Sequence, residues 1–424
     1  MNQLSLNIQI AVKHMFSMLS QLPPYWGFCP PITGESKGVQ RPLRRGERLL
    51  LLCLLLLTAC SQPKEPMAES GRTQRTENLL TNLKKIAAEK GYLFGHQDSP
   101  MYGVGWCGDA DKSDIKEVTS DYPALMGFDL GHLELGDSVN LDGVPFDKMH
   151  DEIIKHFERG GMITISWHLN NPLTGGTAWV KPDSLTEQEK QTVASVLEGG
   201  EAHEKFLTWL DKVADFINSL ETDYGVKVPV LFRPWHEHTG SWFWWGQDVC
   251  TKDQYIALWR LTVDRLKEKG VTNALYSYSA AAMENQDEAA YMERYPGDDI
   301  IDLLGIDHYC YAATPDDTVA INSFAERLDQ YLDILCRLGR THEKAVALTE
   351  AGYRGIPSDN WWTHTLMPVL NKYPIAYALV WRNDHKHPED CYAPYVGQQS
   401  ASDFIKFYND KNTLFMRDIN GLYL

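Results

Sequence analysis

Two glutamates stand where apolar, β-rich runs give way to polar residues. Glu237 ends Phe232-Arg233-Pro234-Trp235-His236-Glu237, and Glu350 sits in Thr349-Glu350-Ala351-Gly352. A carboxylate at the end of a buried run is costly unless it is hydrogen-bonded or faces an open mouth. Two such groups facing each other can cleave a glycosidic bond. One protonates the leaving oxygen while the other attacks the anomeric carbon or activates water, and their pKa values must be pushed apart. The plainer alternative for Glu237 is an ion pair with Arg233 or a neighbouring Lys; for Glu350, Glu343 and Glu389 are rival acids nearby. Trp242, Phe243, Trp244 and Trp245 follow Glu237 between Gly240 and Gly246. Coming after a strand rather than along a helix face, they are expected to form a surface on which apolar sugar faces stack. His168, Asn170, Asn171, His236, Arg382 and Asp384 also fall at run ends, where they can bond sugar hydroxyls, and Glu134 is a further acid that can reach the substrate.

The elements that must position these groups recur along the chain. Short apolar runs lie at 92–95, 124–129, 162–168, 229–237, 274–279, 303–309, 345–350 and 375–381. Between them are helical patterns. In 252–269, Ile256, Trp259, Val263 and Leu266 repeat at helical spacing, with Thr251 as N-cap and Gly270 as stop; 201–220 repeats the pattern with Phe206, Leu210, Val213 and Ile217. Continuous apolar strands alternating with helices indicate a parallel sheet buried on both faces, and eight such units predict a single (β/α)8 barrel. A doubly wound sheet is the alternative, but no Gly-x-Gly-x-x-Gly follows the first strand. In a barrel the chemistry sits at the C-terminal mouth of the strands, where Glu237, Glu350 and the polar residues at run ends fall.

The stretch from Arg233 to Glu237, followed by Gly240, Trp242, Trp244 and Trp245, resembles the acid/base signature of glycoside hydrolase family 26, the β-mannanases. The resemblance runs over roughly 90–420. It takes in Gly95-His96-Gln97, Trp167-His168, Asp307-His308-Tyr309, Thr349-Glu350-Ala351-Gly352 and Trp381-Arg382. It implies a retaining enzyme with Glu237 after strand 4 as acid/base and Glu350 after strand 7 as nucleophile, their carboxyls ~5–5.5 Å apart. It further implies that His236 lies beside the acid/base and Tyr309 near the nucleophile. His96, His168, Trp179, Trp242, Asp307, Trp381 and Arg382 would contact the sugar. The substrate would be mannan, galactomannan or glucomannan, cut internally without a cofactor. A β-glucan or xylan hydrolase on the same scaffold, or a non-catalytic glycan-binding lipoprotein, would use the same surface.

Composition narrows the rest. Of 424 residues, 43% are apolar, 11% aromatic and 23% charged, which excludes a wholly disordered or collagen-like chain. The formal charge is −17 and no basic stripe is present, so nucleic acid is excluded as a partner. Four histidines near strand ends (His168, His236, His238, His308) raise the question of a metal. Barrel metal sites draw a close His pair from strand 1, which offers only His96, so none is expected. Arg41, Arg44, Arg45 and Arg48 precede the apolar run 49–57, which is too short to span a bilayer and suits the core of an export signal. Leu57-Thr58-Ala59-Cys60 resembles a bacterial lipoprotein signal with Cys60 as the lipidated residue. The organisation expected is therefore 1–40 as an extension that is disordered or lies upstream of the true start, 41–60 as the signal, 61–75 as a polar linker and 76–424 as the catalytic barrel. The protein would act as a monomer in the cell envelope, anchored in the outer membrane. Outside the first sixty residues, 34 basic residues face 55 acidic ones, a net −21 that suits a neutral ligand. Cys107, Cys250, Cys310, Cys336 and Cys391 show no CxxC spacing and leave room for one or two disulfides.

Overall fold

A computed structural model describes residues 65–282 and 287–424. The export segment and Cys60 lie outside the described residues. Each of the eight predicted runs forms a strand: β1 (Tyr92–Gln97), β2 (Leu125–Asp129), β3 (Met162–Ser166), β4 (Val230–Arg233), β5 (Ala274–Ala281), β6 (Leu303–Cys310), β7 (Ala345–Tyr353) and β8 (Tyr377–Val380). All neighbours pair in parallel, and β8 pairs back onto β1, closing the barrel.

The longer helices are α1 (Gln74–Ala88), α2 (Phe146–Glu158), α3 (His203–Ser219), α4 (Lys252–Glu268), α5 (Thr318–Thr341) and α6 (Ala401–Tyr408). Helix α4 starts as its sequence predicts. The Thr251 hydroxyl accepts from the Gln254 amide while the Gln254 side chain accepts from the Thr251 amide. It ends before Gly270, whose φ of +77° a β-carbon would strain. Its buried face, including Leu258, Trp259, Val263 and Leu266, packs toward the strands.

Strand alternation sorts side chains between two apolar layers. Leu93, Leu125, Leu231, Leu275, Leu303 and Leu379 fill the barrel interior with Tyr377, while Phe94 turns outward to meet Phe404 and Phe407 of α6. Small residues make room for the large interior ones. A β-carbon on Gly305 would lie 2.5 Å from the Thr349 methyl, directly below the mouth. The segment before α1 is already fastened to the barrel, with Arg72 bonding both oxygens of Asp302 at 2.8 and 2.7 Å. The five cysteines of the described residues are all free.

Candidate active site

The site is built where three strand ends depart from regular geometry. Strand β4 stops at Arg233, four residues short of the predicted end, and both Trp235 and Glu237 adopt left-handed backbone with φ of +55° and +53°. Such strain persists only where surrounding contacts over-determine it. Here the Trp235 indole donates to Thr262 of α4 at 3.2 Å and its carbonyl accepts from Tyr255 at 2.7 Å. The Glu237 amide bonds the Ser279 carbonyl at 3.0 Å, and the Trp245 indole holds the His236 carbonyl at 2.8 Å. The chain is thus coiled back over the barrel, leaving Glu237 half-buried at the mouth.

Across the mouth, β6 and β7 slip register by one residue between Ile306 and Asp307, so Asp307 pairs with Glu350 instead of Thr349. A bulge re-aims side chains in this way. Both Thr349 and Glu350, which would alternate faces in a regular strand, now serve the same site: the Thr349 hydroxyl donates to Asp307 at 2.6 Å, and Glu350 turns into the mouth. Carboxylate oxygens of Glu237, Asp307 and Glu350 lie within 4.8 Å of one another. The cation among them is Arg233, fully buried, which donates to Asp307 at 3.0 Å and to Glu350. The ion pair weighed for Glu237 therefore belongs to Glu350 and Asp307. The Tyr309 hydroxyl donates to the other oxygen of Glu350 at 2.7 Å.

These contacts separate the two glutamates chemically. Burial, reinforced by the charges of Glu350 and Asp307, pushes Glu237 well above the usual carboxylate range, against a single donor among the described residues, the Trp242 indole at 2.7 Å. That indole can only donate, so it takes a lone pair of Oε2 and leaves Oε1 free to carry the acid proton. Glu350 instead receives a guanidinium and a hydroxyl, partners suited to an anion. Burial also raises Asp307 to about 7, opposed by Arg233.

Of the sugar-contacting residues expected from sequence, most converge on this mouth. His236 approaches Glu350 to 4.0 Å and meets His168 at 3.0 Å. The Trp179 ring, 47% exposed, lies parallel to His168 at 5.3 Å, and Trp381 meets that histidine edge-on at 6.1 Å. Arg382 lines a neighbouring pocket of about 400 Å³ with Tyr102, Asp142 and Asp384, pairing with Asp142 at 3.3 Å.

Four expectations are corrected. His96 lies on the outward face of β1 shared with Phe94, buried and without a hydrogen-bond partner on either nitrogen, away from the mouth. The aromatic run after Glu237 is split. Trp242 alone reaches the carboxylates, whereas Phe243, Trp244 and Trp245 are buried, the two indoles packing on Trp235 at 5.4 Å each. Two glycines beside them signalled a tight loop, which a core wedge needs as much as a platform does. Glu134 is buried and fastens the loop after β3 by accepting from the Trp167 indole and the Asn170 amide. Asn171 is likewise a loop brace, accepting from the amides of Leu173 and Thr174. Sequence reading passed over Arg233 as a partner of Glu350, and Asp129, which binds His168 at 2.7 Å. Both end apolar strands, the signal that had singled out the glutamates.

Comparison with known proteins places the chain. The family model for "Glycosyl hydrolase family 26" matches residues 68–328. A mannan endo-1,4-beta-mannosidase of Bifidobacterium adolescentis is 30% identical over 83% of this chain, which spans 36% of that longer relative. One from Bacillus subtilis strain 168 is 26% identical over 79% of this chain and 88% of its own length. Among solved structures, a family 26 beta-mannanase from Bacteroides ovatus superposes with a TM-score of 0.78 at 50% identity, covering 83% of this chain and 98% of that one. With its closed parallel barrel and the paired acids at strands β4 and β7, the chain belongs to glycosyl hydrolase family 26.

Proposed function

We propose that the protein is a retaining endo-β-1,4-mannanase that cuts internal bonds of mannan, galactomannan or glucomannan, with Glu237 as acid/base and Glu350 as nucleophile. The observation that carries the mechanism is the closeness of the two carboxylates, within 4.8 Å. Inverting enzymes need about 6.5–9.5 Å to admit a water between them. Glu350 attacks the anomeric carbon as Glu237 gives its proton from Oε1 to the departing oxygen. A glycosyl ester on Glu350 results. Glu237, now a carboxylate, takes a proton from the incoming water, which breaks the ester and restores the β-anomer. Arg233 and Tyr309 orient Glu350 throughout, one on each oxygen. Mannan as substrate is supported by the names of the relatives. Glu350→Ala is expected to abolish mannan hydrolysis while leaving the circular dichroism spectrum unchanged; turnover near wild type in that variant would remove the mechanism. A panel of galactomannan, glucomannan, lichenan and xylan tests the substrate, and retained binding without release of reducing ends would mark a glycan-binding protein instead.

We also propose that the chain is exported and anchored through Cys60, supported by the basic run, the apolar run and the Leu-Thr-Ala-Cys sequence at 57–60. Metabolic labelling with a fatty acid, lost in Cys60→Ala, tests this.

A further inference from the structure

Asp129 closes β2 and is buried against His168. Its four lone pairs are all claimed. Oδ1 accepts from the amides of Gly131 at 2.7 Å and His168 at 3.2 Å; Oδ2 accepts from the Ser166 hydroxyl at 2.6 Å and from His168 Nδ1 at 2.7 Å. The other acceptor of the Ser166 hydroxyl, the Phe128 carbonyl, is farther off at 3.3 Å, so the hydroxyl donates to Asp129; a carboxylate so surrounded has no place for a proton, and His168 Nδ1 must therefore carry one.

The other ring nitrogen of His168 faces Nε2 of His236 at 3.0 Å, and only one proton fits between two such nitrogens. If His168 holds it, His168 is an imidazolium and His236 a neutral acceptor. If His236 holds it, both rings are neutral. The surroundings favour the first arrangement. Burial disfavours a charge on His168, but the Asp129 anion in direct contact outweighs it, with Asp142, Asp307 and Glu350 further off on the same side and Arg233 opposing them. Neither arrangement charges His236, whose burial beside Arg233, His168 and His238 disfavours an imidazolium there, so the choice rests on the Asp129 carboxylate held 2.7 Å from His168.

On its open face the His168 ring lies parallel to Trp179, 9° from coplanar at 5.3 Å. An indole face attracts a cation, and more strongly where water is excluded on one side. We infer that Asp129 is a positioning residue: it holds His168 as an imidazolium, and that cation in turn holds the exposed Trp179 ring as a flat platform for a sugar. The part played by the sugar rests on the mannanase reading; the charge on His168 does not.

A fluorescence titration tests the charge without substrate, because an imidazolium quenches a stacked indole. The signal is the difference between the wild-type protein and Trp179→Phe, which removes the other tryptophans from the comparison. It is expected to show a quenching transition with its midpoint above the ordinary histidine value of about 6.5, and Asp129→Asn is expected to lower that midpoint by at least about one unit. On mannan, Asp129→Asn is expected to raise KM about two- to fivefold, the range a cation–aromatic contact supplies, with a smaller effect on kcat. A midpoint at or below 6.5 in the wild type, or one that Asp129→Asn leaves in place, would overturn the inference. Should Asp129→Asn fail to fold, ¹⁵N-histidine spectra of the wild type, assigned by loss of a signal in His168→Gln, decide the matter. Both His168 nitrogens protonated at neutral pH supports it, and a neutral ring defeats it. A wild type inactive on mannan would remove the mannanase reading and leave the titration standing.

Discussion

Replacing Trp242 with Phe removes one hydrogen bond and little else, because the ring keeps its place at the mouth. The bond lost is the 2.7 Å donation to Glu237, the only side-chain donor among the described residues that favours its charged form by direct contact. A hydrogen bond to a charged group is worth about 1.5–3 kcal/mol. At 1.36 kcal/mol per pKa unit, that is about one to two units. The sign follows from what the bond stabilises: without the donor the carboxylate is disfavoured, so Glu237, already raised by burial and by Glu350, rises further. The acid must be protonated for the first step, so the basic limb of kcat/KM against pH reports its pKa in the free enzyme. That limb, measured on a soluble manno-oligosaccharide, is expected to move to higher pH by about one to two units in Trp242→Phe, with the thermal midpoint unchanged. A limb that stays in place, or moves to lower pH, would refute the assignment of Glu237 as the acid held by Trp242.

Other consequences are distributed over the barrel. Arg233→Met leaves Asp307 and Glu350 as buried acids without their cation, and urea denaturation is expected to show a loss of about 3–5 kcal/mol with activity gone; a loss under 1 kcal/mol would contradict the pairing. Trp244→Ala opens the core and is expected to cost about 3–5 kcal/mol, whereas Trp179→Ala should change stability by less than about 0.5 kcal/mol and raise KM. Burial lowers His96 and His156 to about 3 each. Below about pH 6.5 the unfolded chain binds protons at both that the folded chain refuses, so stability is present above that pH and falls on acidification toward 3. Each contributes about 2 kcal/mol of loss between pH 6.5 and 5, so urea midpoints in His156→Gln are expected to fall less steeply over that interval than in the wild type.

The barrel was legible because each strand is an apolar run buried on both faces, and because the helices between carry their own caps, as Thr251 and Gln254 show. Glu237 and Glu350 were legible as acids placed where such runs end. What escaped depends on departures from regular geometry. A one-residue bulge between β6 and β7 leaves no mark in composition, yet it brings Thr349 and Glu350 to the same side of Asp307. Left-handed backbone at Trp235 and Glu237 is fixed by bonds to α4 and β5, contacts between residues far apart in sequence. The same distance hid the partners of Arg233. His96 was misplaced for a simpler reason: strand alternation turns it outward with Phe94, and a motif match carries no information about which face a residue occupies.

The central claim is that Glu350 forms a covalent bond to the sugar while Glu237 supplies and recovers the proton. A 2-deoxy-2-fluoro-mannosyl substrate with a good leaving group slows breakdown of that ester enough for mass spectrometry of the digested protein. The account predicts one sugar attached to the peptide carrying Glu350, and none in Glu350→Ala. A label on Asp307 or Glu237, or no label alongside release of the inverted anomer, would contradict it.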